Sequence, residues 1–145
     1  MEHFEPAPTI RRLEREDVDE VVAACSWLFA APASMPDLWN PAAAAGRLNR
    51  LCEADRSTAF VAQLDDKIVG FCTVYLDLES LRFGQRAWLN DMAVDPQHRS
   101  RGLGHRLLQA ARTWAPRAGR DAAPARLQHG PHRRAPLLPP RTADL

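Results

Sequence analysis

The sequence predicts an α+β domain: a mixed, largely antiparallel sheet flanked by helices, with nothing after Ala115 able to supply closing strands. Two patterns and one number carry that expectation. Apolar residues recur at helical spacing in three segments and as strand-like runs between them, in the order β-α-α-β-β-β-α. The turn-forming stretch Asp65-Asp66-Lys67 joins two β-rich runs directly, as a hairpin does. The chain has 145 residues, 46% of them apolar, which suits one domain with a core of its own.

Thr9–Leu13 reads as a short first strand. From Asp17 the positions Val18, Val21, Val22, Cys25, Leu28 and Phe29 repeat at helical spacing, and Glu16, Asp17, Asp19 and Glu20 place negative charge at the positive end of that helix. Ala31-Pro32 and Met35-Pro36 interrupt the period and mark a loop. Asn40-Pro41 pairs an N-cap residue with proline at the first helical position, opening a second helix to about Ala54. Its apolar face holds Ala44, Ala45, Leu48, Leu51 and Cys52. Ser57–Leu64, Ile68–Leu76 and Gln85–Val94 read as three consecutive antiparallel strands, with both early helices on one side of the sheet. Asp95–Arg101 is then a loop and Gly102–Trp114 a helix.

Composition excludes several classes of function. Net charge is only +1, which gives no whole-chain attraction to nucleic acid. No apolar run is long enough to span a bilayer, and the first residues lack a charged segment leading into an apolar one. Cys25, Cys52 and Cys72 have no metal-ligand spacing and apolar neighbours, which suggests buried thiols in a reducing compartment and a cytoplasmic location. No metal site is expected.

The chemistry concentrates between Trp88 and Leu108. A strand ending at Val94 leads through a loop carrying Arg99 and Arg101 into a helix opening at Gly102-Leu103-Gly104. Such a junction aims backbone N–H groups and the positive end of a helix dipole at one point, and glycine lets the backbone approach a phosphate closely. The spacing fits neither a P-loop nor the dinucleotide fingerprint, because His105, Arg106 and Leu107 follow Gly104.

The stretch Arg99-Ser100-Arg101-Gly102-Leu103-Gly104 resembles the Arg/Gln-x-x-Gly-x-Gly/Ala motif of the GNAT superfamily of N-acetyltransferases at every defined position. Ile68–Tyr75 is similar to that family's third strand, and Thr9–Ala30 to its first strand and helix, so the likeness covers about residues 9–114. The resemblance implies acetyl-CoA as co-substrate. Its pyrophosphate would lie on the amides from Arg99 through Gly104, and its pantetheine arm along the backbone of Met92, Ala93 and Val94. It implies direct acetyl transfer to the amine of a small molecule or peptide, with Asp91 as general base. Asn90, expected on the opposite face of the strand, would orient substrate or water. Substrate contacts would come from the first helices, the loop around Leu78–Gly84 and the C-terminal segment. His98 and His105 would sit at the phosphate edge, and Trp27 and Trp39 would pack or line a pocket between the first two helices.

The likeness stops at Ala115. The family continues with a fifth strand, a helix bearing Phe-Tyr whose tyrosine commonly protonates the leaving thiolate, and two closing strands. Here residues 116–145 hold six Pro, six Arg and six Ala, with no Val, Ile, Met, Phe, Tyr or Trp, and Tyr75 is the single tyrosine. As written, this stretch reads as an incomplete domain (1–115) followed by a disordered tail, with the face of the last helix only partly covered. Degenerate codons for the tail, read from the second base of each, admit a typical end for that helix and then a Phe-Tyr segment at the family's spacing. An out-of-frame translation from Pro116 is therefore expected, caused by one extra nucleotide. Two readings follow: an active N-acetyltransferase, or a catalytically impaired acyl-CoA-binding remnant whose open edge a second copy covers in a homodimer. Nucleic-acid binding by the Arg-rich tail ranks behind both, because no aromatic residue interleaves its arginines.

Overall fold

The computed structural model describes residues 6–118 and 126–129. Its centre is a five-stranded sheet in the order β1-β2-β3-β4-β5. The strands are β1 (Thr9–Arg12), β2 (Ser57–Leu64), β3 (Lys67–Leu76), β4 (Arg86–Val94) and β5 (Arg126–His129). Neighbours are antiparallel from β1 to β4, as the sequence predicts, and β5 lies parallel to β4. Helices α1 (Val18–Ala24), α2 (Pro41–Glu53) and α3 (Leu103–Ala118) cover the two faces.

Local chemistry sets most of the boundaries. The Asn40 side chain accepts a hydrogen bond from the Ala43 amide at 3.1 Å, and Pro41 is the first residue of α2. Asp65 and Asp66 both adopt positive φ (51° and 62°), the pair of left-handed conformations that a two-residue hairpin requires. Helix α1 is shorter than its apolar period suggests, because 3-10 turns at Arg15–Asp17 and Cys25–Leu28 take up its ends.

Two apolar layers hold the sheet in place. Against α1 and α2 lie Leu13, Val18, Val21, Leu48, Val61 and Phe71, all buried. Against α3 lie Phe60, Val69, Cys72, Val74, Leu89 and Leu107. Each such side chain contributes about 1.5–3 kcal/mol on burial. An exposed ion pair such as Arg15–Glu53 adds about 0–1 kcal/mol, so apolar packing decides where the sheet sits.

The C-terminal end departs from the sequence reading in three ways. Helix α3 runs through Ala115-Pro116 to Ala118, since a proline in the last turn removes a single ladder bond without ending the helix. Most of its face is covered: Leu103, Leu107, Ala111 and Ala115 are buried in the core shared with the sheet, and only Leu108 of the expected face stays half-buried. A strand also forms where none was expected. Residues 126–129 contain no proline, and an edge strand of four residues needs only backbone pairing, which explains β5 despite its lack of β-branched residues. The remaining tail expectations, on residues 119–125 and 130–145, lie outside the described residues.

One polar cluster pins the first strand to the first helix. Arg11 donates to both carboxylate oxygens of Asp17, at 2.7 and 2.9 Å, and the Glu14 amide donates to Asp17 Oδ2 at 2.8 Å. The Arg11 hydrogen bond holds the buried Asp17 carboxyl below its ordinary value of 3.8, outweighing the opposing effect of burial. A depressed carboxyl stabilises the fold fully above its unfolded value and loses that contribution as pH falls through the folded one. Asp17→Asn should cost about 1.5–3 kcal/mol at neutral pH. In urea melts at several pH values, its deficit should shrink only below pH ~4. A deficit that stays constant down to pH 2 contradicts this role.

Candidate active site

Strand β4 carries one residue more than β3 in its middle. Thr73 pairs with Asp91 and Val74 with Leu89, so Asn90 has no partner of its own. This β-bulge overturns the expectation that Asn90 and Asp91 face opposite sides. Simple alternation would separate them, whereas the inserted residue turns both onto the α1–α2 face, where both line one cavity. Nothing in the local residue types marks the bulge, so alternation alone could not reveal it.

The Asp91 carboxylate is held by its neighbours. The Thr73 hydroxyl donates to Oδ2 at 2.7 Å, Asn90 Nδ2 donates to the same oxygen at 3.3 Å, and the Asp91 amide donates to Thr73 Oγ1 at 3.1 Å. With Oδ2 occupied twice, Oδ1 is the oxygen left to a proton or a water. Thr73 holds this carboxylate in place, and no sequence pattern singles it out: it reads only as part of an apolar strand.

The cavity over Asp91 has a volume of about 380 Å³ and lies between the sheet and helices α1 and α2. Phe29, Trp39, Phe71 and Tyr75 line it, together with Arg47 from α2. Phe29 and Trp39 meet edge to face, with ring centroids 4.9 Å apart. Trp39 is thus a pocket residue, whereas Trp27 packs against the core beneath.

On its other edge β4 pairs with β5 at Arg86–Leu89, and among the described residues no strand continues along that edge from Asn90 to Val94. Met92, Ala93 and Val94 lie in this stretch, which leads straight into the loop and α3. The loop holds a 3-10 turn, Pro96–His98, capped by the Asp95 side chain on the Gln97 amide at 2.9 Å. Arg99, Ser100 and Arg101 are exposed beyond it, with Ser100 at φ 64° and Gly102 at φ 80°. Helix α3 begins at Leu103, one residue later than expected. Gly102 is its cap, whose carbonyl accepts from Arg106 N–H at 3.1 Å. The amides of Leu103, Gly104 and His105 precede that first helical bond and point out of the helix end.

A Cβ on Gly102 would meet nothing within 4 Å, so the glycine serves its backbone conformation and leaves the space in front of the loop open. At Gly104 a Cβ would lie 3.4 Å from Met92 Sδ, which shows how closely the helix start sits on β4. His98 Nδ1 lies 3.5 Å from Asp95 Oδ2 within the turn, and His105 is exposed near Gln109, so neither reaches Asp91.

The described residues include no group of three His, Cys, Asp or Glu able to hold a metal, and no helix long and apolar enough to cross a membrane. All three cysteines are unbridged. Burial pushes the Cys25 thiol up to about 11 and the Cys72 thiol up to about 12. Cys72 Sγ and Cys52 Sγ donate to the Leu107 and Leu13 carbonyls, both at 3.9 Å.

Strand β4 thus joins a helix end with outward-pointing amides to a pocket floored by a carboxylate. The profile of the acetyltransferase (GNAT) family matches residues 19–125, and the chain belongs to that family, acyltransferases whose co-substrate is acetyl-CoA. The chain is 30% identical over 77 residues to YhfO, an uncharacterized N-acetyltransferase of Bacillus subtilis (strain 168), covering 53% of this chain. It spans about half (52%) of that relative's length. Among solved structures, the aminoglycoside N-acetyltransferase AAC(6')-Iy in complex with CoA superposes with a TM-score of 0.70 at 16% identity, over 90% of this chain and 82% of that one. That likeness is one of fold. The aminoglycoside acetyltransferase meta-AAC0020, from an uncultured soil metagenomic sample and in complex with sisomicin, matches at 25% identity and a TM-score of 0.58, over 83% and 76%.

Thiol reactivity offers a direct check on the packing around the site. Iodoacetamide at pH 7.5 should modify Cys52 first, with Cys25 and Cys72 labelled only on unfolding, because a thiol must ionise and be reached to react. Native labelling of Cys72 as fast as Cys52 contradicts the described core.

Proposed function

We propose that this protein is an acetyl-CoA-dependent N-acetyltransferase that transfers an acetyl group to the primary amine of a small molecule or peptide. The observation that carries the reading is the bulge at Asn90. It places a carboxylate under an aromatic-walled pocket on one face of β4, two residues past the last one that pairs with β5.

In this proposal the amides from Arg99 to Gly104 hold the pyrophosphate, with Arg99 and Arg101 as flanking positive charges, and Met92, Ala93 and Val94 offer backbone groups to the pantetheine arm. The acetyl thioester then arrives at the bulge. The acceptor enters from the pocket, and Asp91, directly or through a water, takes a proton from its ammonium group. The amine nitrogen forms a bond to the thioester carbon, the C–S bond breaks, and CoA leaves as a thiolate that takes up the second proton lost by the nitrogen as it becomes an amide. Asn90 and Thr73 fix the carboxylate so that Oδ1 faces the pocket. The unbridged thiols fit a reducing, cytoplasmic setting.

The proposal extends to the C-terminal stretch: residues from Pro116 are read one nucleotide out of frame, and restoring the frame lengthens the chain and raises its acetylation rate. Sequencing the coding DNA around codon 115 in the source genome tests it, and a frame shared by intact relatives rejects it.

Two substitutions separate the roles. Asp91→Asn should lower kcat by about 10²-fold or more while acetyl-CoA still binds. An unchanged kcat denies Asp91 the proton. Gly102→Val should weaken acetyl-CoA binding at least about tenfold, since the side chain enters the open space before the loop. It should cost only about 1–2 kcal/mol in folding, the penalty for a left-handed backbone. Equal losses in binding and stability make the glycine merely structural.

A further inference from the structure

Helix α2 presents a stripe to the cavity at Ala44, Arg47, Leu48 and Leu51, the i, i+3, i+4, i+7 positions of one helical face. Three of the four are apolar, as a core-facing stripe requires, and Ala44 and Leu48 are buried. Arg47 breaks the pattern. It is exposed at the cavity wall, and among the described residues it makes no ion pair or hydrogen bond. Arg50, one turn further along α2, is also unpaired among the described residues, but it does not line the cavity; Arg47 does. A guanidinium left unpaired on a pocket wall offers a forked donor that fits a carboxylate.

The rest of the lining fixes the other half of the ligand. Apart from Arg47, the only charged residue of the wall is Asp91, in β4, and the rest of the lining is mostly aromatic or aliphatic, with Ser57, Thr73 and Asn90 as its neutral polar side chains. One carboxylate and one guanidinium on a mostly apolar wall match a molecule with one ammonium group, an apolar body and one carboxylate. A polycation meets the reverse: a single carboxylate and a repelling guanidinium. At about 380 Å³ the cavity lies at the small end of the usual range for ligand pockets, which suits an amino-acid-sized molecule.

We infer that the acceptor is a small primary amine with an apolar or aromatic body and a carboxylate, and that Arg47 is the residue that selects it. The inference rests on the acetyltransferase reading above and narrows its substrate. It also sets this chain apart from the sisomicin-bound relative, whose ligand is an aminoglycoside.

Matched amines test it: phenylalanine against phenethylamine, tryptophan against tryptamine, and leucine against isoamylamine, with sisomicin as the polycation. The full chain should favour the carboxylate-bearing member of at least one pair by roughly tenfold or more in kcat/KM, the usual worth of a charge-assisted hydrogen bond. Arg47→Gln should bring that ratio close to one through KM, and Arg47→Lys should recover part of it. Independently of transfer, 3-phenylpropionate should bind the wild type and lose about tenfold in affinity in Arg47→Gln by calorimetry, with the melting temperature unchanged. A ratio indifferent to Arg47→Gln, or a preference for sisomicin, overturns the inference and leaves the acetyltransferase reading standing. Absence of both acetyl-CoA binding and transfer to every amine overturns that reading, and this one with it.

Discussion

The structure depends on one extra residue in the middle of one strand. Asn90 has no partner across the β3–β4 ladder, and two consequences follow from that misfit. The strand bends there, just past the last residue that pairs with β5. Asp91 turns onto the same face as Asn90, under the pocket. Among the described residues nothing pairs with the outer edge of β4 from Met92 onward, and that edge runs directly into the glycine-bearing loop.

Such an interruption persists only where its surroundings hold it. The two apolar layers do this from opposite faces, Phe71 and Ala93 against the first helices, and Cys72, Leu89 and Leu107 against the last. Gly70 shows how tight the fit is: a Cβ there would lie 3.3 Å from the Ala93 carbonyl and 3.4 Å from Leu107 Cδ1. The strand that bends is therefore clamped where β3, β4 and α3 meet. Polar groups then fine-tune its geometry, with Thr73 and Asn90 converging on one oxygen of Asp91. Rigid packing and a local defect together give a site that opens on both faces of a single strand.

Much of this was legible in the sequence where the cause is local. Asn40-Pro41 announces a capped helix start, Asp65-Asp66 a tight hairpin, and Gly102-Leu103-Gly104 the loop-to-helix junction, because each is the chemistry of a few adjacent residues. The bulge was not legible, since it is a property of how two strands register and either neighbour of Asn90 could have carried it. Arg47 and Thr73 were missed for the same reason: each takes its meaning from a partner element distant in the chain. Pro116 misled in the other direction. It forecasts a stop, yet the helix continues to Ala118, because packing of Leu107, Ala111 and Ala115 outweighs the loss of one hydrogen bond. Strand β5 shows that an edge can form from backbone pairing in a sequence with no strand signature.

The central claim is that CoA lies along the outer edge of β4 and ends on the loop before α3. An amide NMR titration of the isotope-labelled chain with CoA tests it most directly. The account predicts that the largest shifts fall on Met92, Ala93 and Val94 and on Arg99 through Gly104, with smaller changes at Asp91 and none on the outer surface of α2. Shifts confined to exposed residues elsewhere, or saturation without any change from Met92 to Gly104, would contradict it.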